Sequence, residues 1–167
     1  MKQRFKTLFA GGLLTLTLFG VAAAGPLEDA QAAYLRGDYA SAMRLWRPLA
    51  DQRNAGAQNN LGTVYGHGQG VARDYAEAVK WYRKAADQGL VEAQYNLGMM
   101  YYNGRSVPED YALAYMWLNL AASRAVDTEI RDGAIKARDL VAAKMTPDQI
   151  AEAQRMAREW VPKPASP

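Results

Sequence analysis

The sequence predicts an all-α fold, a right-handed superhelical solenoid of about four antiparallel helix pairs. Three observations predict it. First, the chain matches itself at a shift of 36 residues. Asp38-Tyr39-Ala40, Asp74-Tyr75-Ala76 and Asp110-Tyr111-Ala112 fall in register. So do Ala57-Gln58 with Ala93-Gln94, Leu61-Gly62 with Leu97-Gly98, Tyr65 with Tyr101, and Trp81 with Trp117. A fixed period of roughly 20–50 residues marks stacked structural units. Second, apolar residues within a period recur every three or four positions, as on one helix face: Ala93, Leu97 and Tyr101, then Tyr75, Ala78, Val79, Tyr82, Ala85 and Ala86. Third, no useful length of chain alternates apolar and polar residues as a half-buried strand does.

Residues 1–24 read as a secretory signal peptide. Lys2, Arg4 and Lys6 precede an apolar run from Leu8 to Val21. Ala22-Ala23-Ala24 then supplies small residues for cleavage between Ala24 and Gly25. The competing reading, an uncleaved membrane anchor, needs about 20 apolar residues, and this run is shorter. The expected product is periplasmic, without a stable membrane anchor. It is not expected to be a lipoprotein, because the chain has no cysteine to acylate. The same lack excludes disulfides and cysteine-based zinc sites. Three of the 20 basic residues lie in the leader, so the remainder carries 17 basic and 17 acidic residues. No net field would draw it to nucleic acid or anionic lipid.

Residues 25–54 read as a degenerate helix pair, with a first helix over Leu27–Arg36 and a second from about Asp38. Pro48 lies inside the second helix and should kink or shorten it. Residues 55–125 hold two close copies of the unit. Asp74 is a good N-cap, and Glu77 stands three residues on, where a capping box wants it. Gly89 can end that helix in a left-handed conformation. Gly62 and Gly98 fall inside helices, where glycine costs about 1 kcal/mol against alanine. They predict close approach of a neighbouring helix. Residues 126–161 are expected to be capping helices. One runs from Thr128 to Met145 with Ile130, Ala134, Ala137, Leu140 and Val141 available for burial. The other starts at Thr146-Pro147-Asp148-Gln149 and runs to about Trp160. Residues 162–167 read as a disordered tail by composition.

The pattern Ala-x3-Leu-Gly-x2-Tyr-x2-Gly over Ala93–Gly104, and the helix Asp74–Ala86 containing Trp81-Tyr82, resemble the SEL-one-like repeat. That family is a branch of the tetratricopeptide-repeat superfamily. Five residues separate Gly68 from Asp74 and Gly104 from Asp110, and such an extended loop marks this branch. Two units match, about Ala55–Gly89 and Val91–Arg124. Arg53 stands where the family prefers glycine, and Asn54 is expected to take over the turn. The resemblance implies that the first helix of each pair lines a concave surface. It also implies a role in partner binding, since exported relatives act in cell-envelope regulation and polysaccharide secretion. Activity towards β-lactams, attributed to cysteine-rich exported relatives, does not carry over to a chain without cysteine.

No catalytic residue, metal site or cofactor is expected. His67 is the only histidine, in a Gly66-His67-Gly68 turn, and one His cannot build a multi-His metal site. It reads as a solvated loop residue; the competing role of general base lacks an accompanying nucleophile. Ser41, Ser106, Ser123 and Ser166 form neither Gly-x-Ser-x-Gly nor Ser-x-x-Lys. Gly66, Gly68 and Gly70 have no preceding strand and no Gly-Lys-Ser/Thr, so they read as a loop between helices rather than a phosphate cradle.

The expected partner-binding face carries Tyr95, Met99 and Tyr102, spaced by four and three along one helix. Asn59, Thr63 and Gly66 align with them one period earlier, with His67 beside them. Asn60 aligns with Asn96, and His67 with Asn103. Such a groove would be aromatic at one end and amide-lined at the other, suited to a peptide backbone. The Tyr-Met-Tyr stripe reads alternatively as packing, covered by the C-terminal helices. Trp81, Trp117, Tyr65 and Tyr101 read as core. The expected function is non-catalytic binding, by a monomer, of another envelope protein or peptide. The alternative is an enzyme or binder acting on cell-wall glycan or β-lactam.

Overall fold

The computed structural model describes residues 25–105 and 109–163. The leader with its cut after Ala24 and the last four residues of the tail lie outside them. Eight helices and no strand occur among the described residues: α1 Pro26–Leu35, α2 Tyr39–Asp51, α3 Ala55–His67, α4 Tyr75–Asp87, α5 Val91–Tyr102, α6 Tyr111–Arg124, α7 Thr128–Ala142 and α8 Pro147–Glu159.

The repeated aspartate starts the second helix of each unit. Asp38, Asp74 and Asp110 accept the backbone N–H of Ser41, Glu77 and Leu113, respectively. Each satisfies one of the orphan donors of a helix start. The expected capping box at Asp74 does not form. Glu77 turns to Lys80 at 3.0 Å. The Asp74 N–H already donates to the Tyr65 carbonyl at 2.9 Å, so the Glu77 carboxylate has nothing to satisfy there. The complete box forms at α8, where Thr146 and Gln149 serve each other.

Arg53 itself takes the left-handed conformation, with φ 65°, at the place Gly89 occupies one period later with φ 94°. Asn54 does not take over that turn; its side chain caps α3 by accepting the Ala57 N–H. Pro48 does not shorten α2, which has 13 residues like α3 and α4. The proline lies one turn from the helix end, and the buried Trp46 and Ala50 on either side hold that turn in place.

Two rows of helices result. Hydrogen bonds and packing join α1, α3, α5 and α7 as a front row. Behind it run α2, α4 and α6, where Arg47 stacks on Trp81 and Arg83 on Trp117, one period apart. Close approach explains the two helical glycines. A Cβ on Gly62 would lie 2.6 Å from the Tyr82 ring, and one on Gly98 would lie 2.8 Å from Leu118 Cγ. Trp81, Trp117 and Tyr101 are buried and Tyr65 is half-buried, as core positions should be. Arg83 also donates to the Tyr101 hydroxyl.

The C-terminal helices depart from a plain fourth pair, because both pack on α6 rather than chiefly on each other. Helix α7 ends at Ala142, three residues before the expected Met145. It buries Ala134, Ala137 and Val141, which share one face, and leaves Leu140 61% exposed because that residue points aside. Helix α8 buries Ala153 and Ala157 in the main core. The start of the tail is docked: Pro162 lies against Gly89, and Lys163 bonds Asp87.

Candidate binding face

The front row presents one hollow between each successive pair of its helices. The first, between α1 and α3, is about 100 Å³ and is lined by Gln31, Tyr34, Asn60 and Thr63, with Trp46 of α2 behind. The second, between α3 and α5, is about 110 Å³, with His67, Asn96, Met99, Asn103 and Arg105 around it and the Tyr82 ring behind. The third, between α5 and α7, is about 400 Å³ and meets Glu92, Tyr95, Asn96, Glu129, Ile130 and Gly133. Three hollows in series are what a stack of equivalent units produces along one face.

The predicted amides are brought together, and they partly satisfy one another. Asn96 donates to Asn59 Oδ1 at 3.1 Å across α5 and α3. Asn60 donates to Gln31 Oε1 at 3.5 Å across α3 and α1, a long bond. Thr63 donates to the Asn59 carbonyl and accepts from the Tyr82 hydroxyl at 3.3 Å. Burial of Tyr82 raises its pKa, while the Thr63 bond acts in the opposite direction. Asn103 donates to the Met99 carbonyl at 2.7 Å at the end of α5. An amide has both donor and acceptor capacity, so pairing by one atom leaves the other for a ligand.

His67 is the last residue of α3 rather than part of a turn. It is exposed, and its Nδ1 lies 2.9 Å from the Thr63 carbonyl. Gly66 is buried inside the helix, and Gly68 alone makes the left-handed C-cap. The loop therefore begins at Gly68, two residues later than the sequence suggested, because packing of Gly66 against Ala78 and Met100 extends the helix.

The Tyr95, Met99 and Tyr102 stripe divides. All three are half-buried. Tyr95 packs on Ala121, Ala122 and Ala134 and reaches the third hollow. Met99 reaches the second. Tyr102 turns to Tyr111, with ring centroids 6.2 Å apart, and the Lys144 ammonium lies 5.4 Å from its ring. Helix α7 thus flanks the stripe without closing it, and α8 lies on α6 instead. Sequence reasoning missed Gln31 and Tyr34 in the degenerate first unit, and Glu92, Glu129, Ile130 and Gly133 around the third hollow. Of these, Gly133 carried a signal, being a glycine inside a helix.

The sequence profile of the Sel1 repeat matches residues 55–90 and 91–126. This is a Sel1-repeat protein. The first match spans α3 and α4 and the second spans α5 and α6, so the two Sel1 repeats are the two central helix pairs. Among solved structures, the fold is similar to a protective antigen of uropathogenic Escherichia coli strains that displays an SLR fold. That likeness has a TM-score of 0.74 and 30% identity, covering 85% of this chain and 31% of that one. A Sel1 repeat protein from Oxalobacter formigenes is similar with a TM-score of 0.63 and 26% identity, over 81% of this chain and 56% of that one. This chain therefore spans about a third of the first and just over half of the second. No curated protein matches the sequence. Sel1 repeats generally mediate protein–protein interaction, and their fold is typically a non-catalytic scaffold.

Proposed function

We propose that this Sel1-repeat protein is a non-catalytic adaptor or regulator in the bacterial periplasm. In this reading it is a monomer and binds a segment of another envelope protein along the α1–α3–α5–α7 face. The observation that carries the reading is the series of three hollows on that one row, with half-buried Tyr95 and Met99 between them and amides that keep hydrogen-bonding capacity. Half-buried aromatics anchor interfaces at small further entropy cost, because their rotamers are already restricted. The charged, apolar and small-residue order of residues 1–24 supports the compartment in this reading.

Crosslinking in the periplasm tests this. Wild-type protein is compared with a Tyr95→Ala/Met99→Ala variant whose helicity is checked by circular dichroism. Enrichment of one envelope protein by wild type and its loss from the variant is the expected result. The same proteins captured by both would move binding off this face. Capture of peptidoglycan alone would replace the protein partner with glycan.

A further inference from the structure

Two helical glycines are explained by close packing, but Gly133 is not. It lies in the middle of α7, where glycine weakens a helix. A Cβ there would meet nothing within 4 Å. No neighbour therefore requires the glycine, and its missing side chain opens onto the α5/α7 cleft. The cleft of about 400 Å³ falls in the size class of ligand pockets, roughly 300–1,000 Å³. Tyr95 and Ile130 give it apolar walls. Glu92 and Glu129 stand exposed at its rim, and among the described residues neither forms an ion pair. The cleft runs on past Ile130 to Val126, which is 96% exposed. An apolar floor, open space above a helix backbone and two unneutralised carboxylates belong together in one place.

We propose that the α5/α7 cleft receives an aliphatic or aromatic side chain of an extended partner peptide, with a Lys or Arg beside it paired to Glu92 and Glu129. The inference rests on the front-face reading and adds the chemistry of the partner at one of its three hollows. Like charges at the rim repel an acidic segment and steer a basic one. The apolar residue supplies contact area over Gly133, and the cation sets the register.

The test pans a library of displayed random dodecapeptides against the purified protein. The expected consensus is an apolar residue within two positions of Lys or Arg. A synthetic peptide of that consensus is then titrated by calorimetry. Its affinity should fall at least tenfold in Glu92→Gln/Glu129→Gln and in Gly133→Leu. It should stay within twofold in Glu152→Gln/Glu159→Gln, an equal change of charge on α8 away from the front row, while Asn60→Ala/His67→Ala reports on the first two hollows. Gly133→Ala, a helix-favouring change, serves if the leucine variant fails to fold. A consensus without a basic residue, or no enrichment, overturns the proposal. Affinity lost only in Asn60→Ala/His67→Ala overturns the cleft while leaving the front face standing. Affinity unchanged in every variant overturns both.

Discussion

Lys163 is tied to Asp87 twice, although 76 residues separate them. Its backbone N–H donates to the Asp87 carbonyl at 2.7 Å, and its ammonium meets the Asp87 carboxylate at 2.8 Å. The segment leading to it carries Trp160 edge-on against Trp117, with ring centroids 5.8 Å apart. The Arg124 guanidinium lies 4.4 Å from the Trp160 ring centre. The segment 160–163 is therefore a strap laid back over the turn between α4 and α5. Its two attachments are of unequal strength. The Lys163 side chain is 71% exposed, so its ion pair is screened by solvent. The Trp160 ring removes apolar area from water.

The expected order follows in urea denaturation. Lys163→Ala should change stability by no more than about 0.5 kcal/mol, since the backbone bond survives. Trp160→Ala should cost about 2 kcal/mol, less than a fully buried tryptophan because the ring is half-buried. A larger loss from Lys163→Ala than from Trp160→Ala would show that the ion pair, rather than the ring, fastens the strap.

Alanine substitution should affect two helical glycines in opposite directions. Gly98→Ala places a Cβ 2.8 Å from Leu118 Cγ and 3.2 Å from the Ala114 carbonyl oxygen, and that backbone cannot move away cheaply. A loss of about 1–3 kcal/mol is expected from overpacking. Gly133→Ala meets open space and should stabilise the protein by up to about 1 kcal/mol. Thermal melts of both variants check the opposed signs. A destabilised Gly133→Ala would mean that the α7 glycine serves the fold after all.

Tyr82 should make the protein sensitive to alkali. Burial raises its pKa above the ordinary value of 10.0. The folded protein then keeps the phenolic proton at a pH where the unfolded chain loses it. Stability is full below the ordinary value and falls as pH rises through the folded value. Tyr82→Phe loses the bond to Thr63, about 1 kcal/mol at neutral pH. It also removes this titration, so its melting curve should approach that of wild type above about pH 10. Melting temperatures taken from about pH 8 to 11 decide it. Parallel curves would assign the alkaline loss to other groups.

Processing of the leader gives a direct check on the compartment. Protein expressed with all its residues and recovered from the periplasm should begin Gly25-Pro26-Leu27 on N-terminal sequencing. Retention of Met1 in a membrane fraction would instead support the anchor reading.

What depends on neighbours in the chain or on the period was legible from the residues alone. The aspartate cap at 74, which the register extends to Asp38 and Asp110, the Thr146–Gln149 box, the left-handed Gly89 and the narrow approach at Gly62 and Gly98 all follow from local spacing, and the structure bears them out. Tyr95 and Met99 were legible as members of one face because a spacing of four puts them one above the other on a helix. Which groups stay unpartnered was set by the packing of one helix on another. Glu77 has the spacing of a capping box, yet the Asp74 N–H it would serve goes to Tyr65. Asn59 and Asn96 read as free amides but bond each other. Gly98 and Gly133 look alike in sequence, as glycines inside helices. One is pressed on Leu118 and the other faces the cleft that brings Glu92 and Glu129 together. Those outcomes depend on what lies across the space between helices, and a one-dimensional period cannot encode that distance.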